Sequence, residues 1–417
     1  MLYKIFPGLK QIIEYSRLNI TGDLTAGMTV AVLLIPQSMA YATIAGVPLH
    51  VGLYAAIFPV FFYILFGGAS RYLSVGPVSV VSLLAFSGIS SLDQSQSLNF
   101  LESMIILSFI VGFLQVVWGF FKLGSIFHYV SEAVLNGFIA AVGIIIILNQ
   151  LDSFLGVSLP AYENLITFSS RVITHLHAIH PYTFGIALGC IIALYLIKKK
   201  FPTIPAEFII IIASVIIVES LALYNQGVDI IGKITFEFPQ LPTTIPTADL
   251  IFSLLPIALV IAFISFVESY AVAMKLATND KEPLDPNQEL RGLGAANIGS
   301  SMVGSIPIAG AISRTAVNYK AGAKSNLSLF VAAVFVLMAI IYLTPFFYYL
   351  PKATLAAIII FAISNLINFG QLLHYVKNKM TDALIYLSTF LTTLMVDIFL
   401  GLVVGMITSF FLYTKLK

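Results

Sequence analysis

Residues 74–86 read SVGPVSVVSLLAF, and residues 305–317 read SIPIAGAISRTAV. Each is a short apolar segment interrupted by glycine and proline, and together they decide how the chain folds. Proline suits the first helical position, where its missing N–H would have no partner anyway. Gly76-Pro77 therefore predicts a helix that opens inside an apolar stretch, with Pro77 at its first position. Pro307 and Gly310 predict the end of an extended stretch and a second opening of the same kind. A helix start exposes unpaired N–H groups and about half a positive charge. Two such starts meeting near a membrane midplane make a cradle for an anion. The cradle residues would be Gly76, Pro77, Val78 and Ser79 on one side, and Gly310, Ala311, Ile312, Ser313 and Arg314 on the other. Aligning Gly76 with Gly310 sets Ser79 opposite Ser313, two hydroxyl donors. Taken singly, either segment reads as a proline-kinked helix with packing glycines. As a symmetric pair they favour a site.

The rest of the composition says where such helices must lie. The chain has 417 residues, 59% hydrophobic and only 10% charged. A soluble domain carries roughly 25% charged residues. These residues cannot cover a water-facing surface, which argues against a soluble enzyme, a nucleic-acid binder and a disordered chain. The balance of 21 basic to 19 acidic residues offers no field for a polyanion. Cys190, the single cysteine, fits no metal-ligand spacing, and no cofactor or metal is expected. The composition predicts an all-α polytopic membrane protein.

A span needs about 20 mostly apolar residues, fewer where neighbours bury it. Fourteen segments are expected: 22–45, 50–66, 76–90, 101–121, 131–151, 181–198, 206–224, 250–278, 290–305, 310–320, 327–345, 352–369, 381–395 and 397–414. Several are too short to cross alone. The first follows Lys4, Lys10 and Arg17, is long, and lacks a small-residue cleavage site, so it reads as a retained span. Residues 160–180 hold His175, His177 and His180 without a Cys or carboxylate at ligand spacing. A wet helix outside the cell is the better reading than a metal site.

Placing the N-terminus in the cytoplasm tests the count. Lys4, Lys10, Arg17, Arg71, Lys122, Lys198, Lys199, Lys200, Lys275, Lys281, Arg291, Lys320, Lys324, Lys377, Lys379, Lys415 and Lys417 then fall inside. Arg171, Lys233 and Lys352 fall outside, and Arg314 lies within a span. This bias follows the positive-inside rule, and one missed span would spoil it. Both termini are expected in the cytoplasm.

Three weak internal matches share an order and a similar offset. FHYVSEAVL (127–135) resembles FYYLPKATL (347–355), GLYAA (52–56) resembles GLGAA (292–296), and GPVSVV from Gly76 resembles GAISRT from Gly310. They predict a 7+7 inverted repeat, with segments 3 and 10 as half-helices, as in many secondary transporters. The expected organisation is a cytoplasmic N-terminal segment (1–20), a first repeat (21–224), an extracytoplasmic linker (225–249) and a second repeat (250–417).

Arg314 stands four residues into the second half-helix. A buried arginine costs at least about 2.5–3.5 kcal/mol on insertion scales, so it needs a partner. Glu268 in ISFVESYAVAMKLA is the natural one. It would balance Arg314 and titrate, the bland alternative being a fixed ion pair between two helices. Glu132, Glu207, Glu219, Asp249 and Asp397 lie nearer span ends, where solvation or capping is expected. In the first half, LLIPQSMAYATIAG sets Gln37 and Tyr41 one turn apart, an amide and an aromatic face for a ligand. Pro36 is expected to kink that helix. For Tyr41, core packing is a nearly equal reading.

GDLTAGMTVAVLLIPQSMAYATIAGVP, then GLYAA…SRYLSVGPVSVVSLL, then SFVESYAVAMKLA…NQELRGLGAANI…SRTAVN, strongly resemble the sulfate permease (SulP) family, solute carrier family 26. The match runs from about residue 20 to the C-terminus. Val51 departs from the pattern where an aromatic often precedes GLY, and GGASR carries an extra residue. The resemblance implies a core domain of spans 1–4 and 8–11 moving against a gate domain of spans 5–7 and 12–14. It implies an anion site between spans 3 and 10, near Gln37, Tyr41, Val78, Ser79, Ser313 and Arg314. It implies Glu268 as the coupling carboxylate, a bilayer location in the plasma or inner membrane, and a homodimer. Members commonly continue into a cytoplasmic STAS domain; the chain stops at Lys417, and none is expected within it.

The expected function is secondary active transport: proton-coupled symport of sulfate or a related small anion by alternating access. Bicarbonate or dicarboxylate transport, and an uncoupled anion channel or exchanger, are the alternatives. Some bicarbonate-transporting relatives carry Asp, and a Thr one turn later, where Glu268 and Val272 stand here. Loss of that hydroxyl argues for a proton over sodium. A nucleobase symporter of this architecture fits poorly, because Arg314 and two cationic helix starts suit an anion. An intramembrane enzyme fits least, since no His, Cys or carboxylate pair marks a catalytic centre in the spans.

Overall fold

The computed structural model describes residues 19–66, 69–92, 99–124, 131–162, 164–201, 204–234, 246–364 and 367–414, together with Gly8, Ile13 and Tyr15. Lys4, Lys10, Arg17, Lys415 and Lys417 lie outside the described residues, as do the start of the FHYVSEAVL match, nearly all of segment 1–20 and much of the expected linker. In chain order the elements are α1 (Ile20–Ile44), α2 (Leu49–Leu65), β1 (Val75–Gly76), α3 (Ser79–Ser90), α4 (Phe100–Phe120), α5 (Glu132–Asn149), α6 (Leu151–Leu155), α7 (Leu165–His175), α8 (Pro181–Lys200) and α9 (Ala206–Ser220). They continue with α10 (Ala248–Asp280), α11 (Pro286–Met302), β2 (Ala309–Gly310), α12 (Ile312–Lys320), α13 (Leu327–Leu343), α14 (Lys352–Ser364), α15 (Phe369–Asn378), α16 (Met380–Met395) and α17 (Ile398–Thr414).

Every apolar segment expected to be a span holds one of these helices, with ends shifted by a few residues. Seven helical stretches among the described residues are long and apolar enough to cross a membrane, and four shorter ones are apolar. The helix starts follow local chemistry. Thr247 caps α10 by accepting from Leu250 N at 3.4 Å. Asp285 caps α11, which has Pro286 at its first position. His180 caps α8, which begins at Pro181. α1 runs through Pro36 without a break. Two expectations need correction. Pro77 is not the first helical residue: Val78 is the N-cap and α3 opens at Ser79. Gly310 likewise lies in β2, and α12 opens at Ile312. Pro77 instead belongs to an extended lead-in, and Pro307 stands in the extended stretch expected of it.

The chain forms two compact units, each drawing on both halves of the sequence. One contains α1–α4, α10–α13 and the two short strands. Within it α4 runs along α11, and their backbones meet at glycines. A Cβ on Gly112 would lie 2.6 Å from Gly294 O, and one on Gly294 would lie 2.7 Å from Gly112 O. Small residues permit this approach where water offers no hydrophobic drive. α11 carries Glu289, Arg291 and Asn297, and it is not among the apolar spans. It is shielded by α4 and α2.

The second unit contains α5–α9 and α14–α17. Here α16 packs on α5 and α17, and α8 packs on α14. Gly137 lets α5 approach Tyr386, whose carbonyl lies 2.6 Å from the position of an added Cβ. Glu207, expected to be solvated or capping, is buried and paired with Lys198. Asp397 does cap a helix: its Oδ1 accepts from Phe399 N and Leu400 N at 2.8 and 2.9 Å. α7 is amphipathic and buries only Phe168. His175 and His177 are exposed, while His180 hydrogen-bonds Thr183.

Candidate functional site

Non-helical backbone at membrane depth is tolerated only where protein satisfies its polar groups. The two lead-ins meet this condition through each other. β1 and β2 pair antiparallel, Val75 opposite Gly310 and Gly76 opposite Ala309. An offset of 234 exchanges these two pairs, the same offset that aligns Gly76 with Gly310 in the sequence. Ala311 N donates to Ser74 O at 2.9 Å, and Ser74 N donates to Thr315 Oγ1 at 3.0 Å. Gly310 N donates to Ser269 Oγ at 2.7 Å, tying β2 to α10.

A buried amide network supports the second lead-in. Asn297 on α11 accepts from Ile308 N at 2.8 Å and donates to Ile308 O at 3.1 Å, as a neighbouring strand would. Its Nδ2 also reaches Gln115 Oε1 at 3.0 Å, and Gln115 Nε2 donates to Ser265 Oγ at 2.8 Å. Ser300 Oγ donates to Ile306 O at 2.6 Å. Ser74, Ile306, Ile308 and Ala309 are fully buried. Polar groups this deep are stable only when paired.

The pairing sets the starts of α3 and α12 side by side. Their N-caps are Val78 and Ala311, and neither start carries a side-chain cap. Valine and alanine have no oxygen with which to cap, so the first-turn N–H groups are left for another acceptor. Ser79 is buried at the start of α3, whereas Ile312 and Ser313 are exposed on α12. The expected serine pair is therefore unequal in environment.

Arg314 lies in the first turn of α12 and is fully buried. Its Nη1 donates to Gln37 Oε1 at 3.1 Å and to Pro77 O at 2.9 Å. The expected ion pair with Glu268 is not formed among the described residues. The arginine instead reaches across to α1 and to the first lead-in, whose carbonyl is free because β1 ends at Gly76. Nε and Nη2 of Arg314 and Oε2 of Glu268 are enclosed with no hydrogen-bond partner among the described residues. Gly76 has φ +158°, a backbone region nearly closed to other residues, and a Cβ there would lie 3.2 Å from Arg314 Nη2. Tyr41 is buried one turn after Gln37 on α1. The structure thus brings together Gln37, Gly76, Pro77, Gly310 and Arg314, and ties Gly310 to the helix that bears Glu268.

Sequence reading missed the carboxylates that anchor this unit. Asp280, at the end of α10, accepts from Tyr72 OH at 2.6 Å and Tyr319 OH at 2.7 Å. It thereby joins the Glu268 helix to the first lead-in and to α12. Glu289 accepts from Tyr63 OH at 2.7 Å and Ser70 N at 3.0 Å. Asp23 accepts from Tyr15 OH at 2.9 Å and from Lys324 N and Ser325 N at 2.6 and 3.0 Å. Burial, with the Asp23 contact second, pushes the Tyr15 phenol up to about 12. These partners are far apart in sequence, and no local spacing marks them.

Comparison with known proteins identifies the family. Sulfate transporter 4.1, chloroplastic, of Arabidopsis thaliana is 32% identical over 94% of this chain and 57% of its own length. The chain thus spans little more than half of that relative. The murine solute carrier 26 family member A9, an anion transporter solved in the inward-facing state, shares the fold at TM-score 0.91 and 23% identity, over 99% of this chain and 71% of its own. The transmembrane domain of the cyanobacterial bicarbonate transporter BicA aligns at TM-score 0.80 and 26% identity, over 94% of this chain and 98% of its own. The model of the sulfate permease family matches residues 20–389, and the chain belongs to that family of multi-pass membrane transporters.

Proposed function

We propose that the protein is a secondary active transporter that couples proton entry to uptake of sulfate or a related small anion by alternating access. The observation that carries the reading is the pair of side-chain-uncapped helix starts, at Ser79 and Ile312, joined through β1 and β2 with Arg314 beside them. N–H groups and a partial positive charge from two helices, plus one guanidinium, suit a small oxyanion. A neutral base would leave that charge unbalanced. The sulfate-transporting relative supports sulfate as the first substrate to test.

In this reading the anion lies against the first turns of α3 and α12. Gln37 and Pro77 hold one edge of the Arg314 guanidinium, so its Nε and Nη2 remain available to the substrate. Glu268 carries the proton. Protonated, it adds no negative charge beside the anion. Ionised, it repels the anion and draws on Arg314. Loading and release of substrate are thereby linked to loading and release of a proton. The charge arithmetic constrains stoichiometry. A dianion entering against 100 mV works against about 4.6 kcal/mol, and one proton returns about 2.3. Sulfate uptake through one carboxylate therefore draws on the pH difference as well, or on a second proton, whereas a monoanion moves without net charge.

The internal repeat and the gate role of the second unit belong to the same proposal. Exchange of the two strand pairs by an offset of 234 supports seven spans followed by seven inverted ones. The division of the chain into α1–α4 with α10–α13 and α5–α9 with α14–α17 supports a carrier and a gate. Bicarbonate is the second reading, favoured by the BicA likeness. Sulfate uptake into proteoliposomes with bicarbonate, chloride and fumarate as competitors separates the two. Uptake of labelled bicarbonate by proteoliposomes that take up no sulfate would replace the first reading by the second.

A further inference from the structure

The second unit holds a cavity of about 590 Å³, built from residues that play no part in the anion site. Glu132, His374, Tyr375, Lys379, Asp382 and Tyr413 line it. Its charges are mixed. Asp382 is buried, accepts from Tyr413 OH at 2.5 Å and lies 4.0 Å from Lys379 Nζ. Asn136 Nδ2 donates to Tyr375 OH at 2.9 Å, fixing that ring. Glu132 is exposed in the first turn of α5, and Lys379 is exposed just ahead of α16. The cavity therefore presents two carboxylates, one ammonium and two phenol rings.

Its position points to lipid. The lining residues come from the starts of α5 and α16, the end of α17, and α15, so the cavity sits where spans leave the membrane. α15 buries no side chain. It shows Phe369, Leu373 and Val376 on its exposed surface together with His374 and Lys377. A helix of that pattern lies in the membrane surface plane. Phe410 and Phe411 are exposed at 67% and 61%, an apolar flank on the same stretch of α17 as the cavity-lining Tyr413.

We propose that this cavity seats the headgroup of a zwitterionic aminophospholipid, of phosphatidylethanolamine type. Its primary ammonium is held by Glu132 and the Tyr375 ring, its phosphodiester by Lys379 and His374, and its acyl chains run along Phe410 and Phe411. Two carboxylates against one lysine disfavour an anionic headgroup such as phosphatidylglycerol. A quaternary choline fills similar space but has no N–H to donate to a carboxylate.

Native mass spectrometry of the intact protein tests this, after incubation in mild detergent with an equimolar mixture of phosphatidylethanolamine, phosphatidylcholine and phosphatidylglycerol. The expected result is retention of phosphatidylethanolamine about tenfold above either competitor, the effect of one charge-assisted hydrogen bond. Glu132→Gln with Lys379→Ala should level the three lipids, while Lys199→Ala should leave the preference intact. Equal retention by the unmodified protein, or preference for phosphatidylglycerol, overturns the proposal without reference to any variant. Half-displacement of the lipid by an equimolar amount of soluble glycerophosphoethanolamine would overturn it too, because the acyl chains would then contribute nothing.

Discussion

Arg314 is held by groups some 240 and 280 residues away, Pro77 O and Gln37 Oε1, and that sets what its replacement should do. Arg314→Ala should abolish sulfate uptake and binding. Arg314→Lys keeps the charge but presents one compact ammonium in place of a planar fork. Losing one charge-assisted hydrogen bond costs about 1.5–3 kcal/mol, so uptake by the lysine variant should fall at least about tenfold, read from initial rates in proteoliposomes. Unchanged anion affinity in both variants would remove Arg314 from the site. Gly76→Ala should also impair uptake with the charge intact, since its Cβ would press on Nη2 and its backbone lies where alanine is strained. The sequence marked Arg314 because a charge inside a span needs a reason. It misassigned the partner because Glu268 was the only carboxylate in view. The actual acceptors, Gln37 Oε1 and Pro77 O, belong to residues the sequence marked for the site, but being uncharged they did not suggest themselves as partners of Arg314.

At the scale of elements, the half-helices depend on pairing that lies outside them. Ser269→Ala should leave Gly310 N–H buried without its acceptor, a loss of about 1–3 kcal/mol. The expected readout is a lower unfolding temperature in detergent together with weaker anion binding. Gly294→Leu should cost a comparable amount, because Gly112 O lies 2.7 Å from the Cβ position and overpacking commonly costs about 1–3 kcal/mol. A small thermal shift for Gly294→Leu would mean that α4 and α11 can part without penalty. Both half-helices were legible in the sequence from glycine and proline inside apolar runs. Their openings were placed two residues early, at Pro77 and Gly310, which serve the extended lead-ins. The network of Gln115, Ser265 and Asn297 was not legible at all. Each looks like an isolated polar residue until α4, α10 and α11 are packed together.

For the whole molecule, the apolar runs located the helices well, since each must satisfy its own backbone in lipid. Orientation rests on the lysine distribution and can be measured directly. Cys190 is the single cysteine and is buried, so Cys190→Ala gives a background for new thiols. A membrane-impermeant maleimide should label Lys233→Cys in intact cells and Lys199→Cys only after permeabilisation; the reverse pattern would invert the topology. Transport itself has the most direct test. Radiolabelled sulfate uptake should be measured in proteoliposomes with and without an inward proton gradient, for the unmodified protein and Glu268→Gln. The account predicts gradient-stimulated uptake in the former, and in the latter sulfate binding without response to the gradient. Equal stimulation in both would contradict it, by showing that the proton does not travel on Glu268.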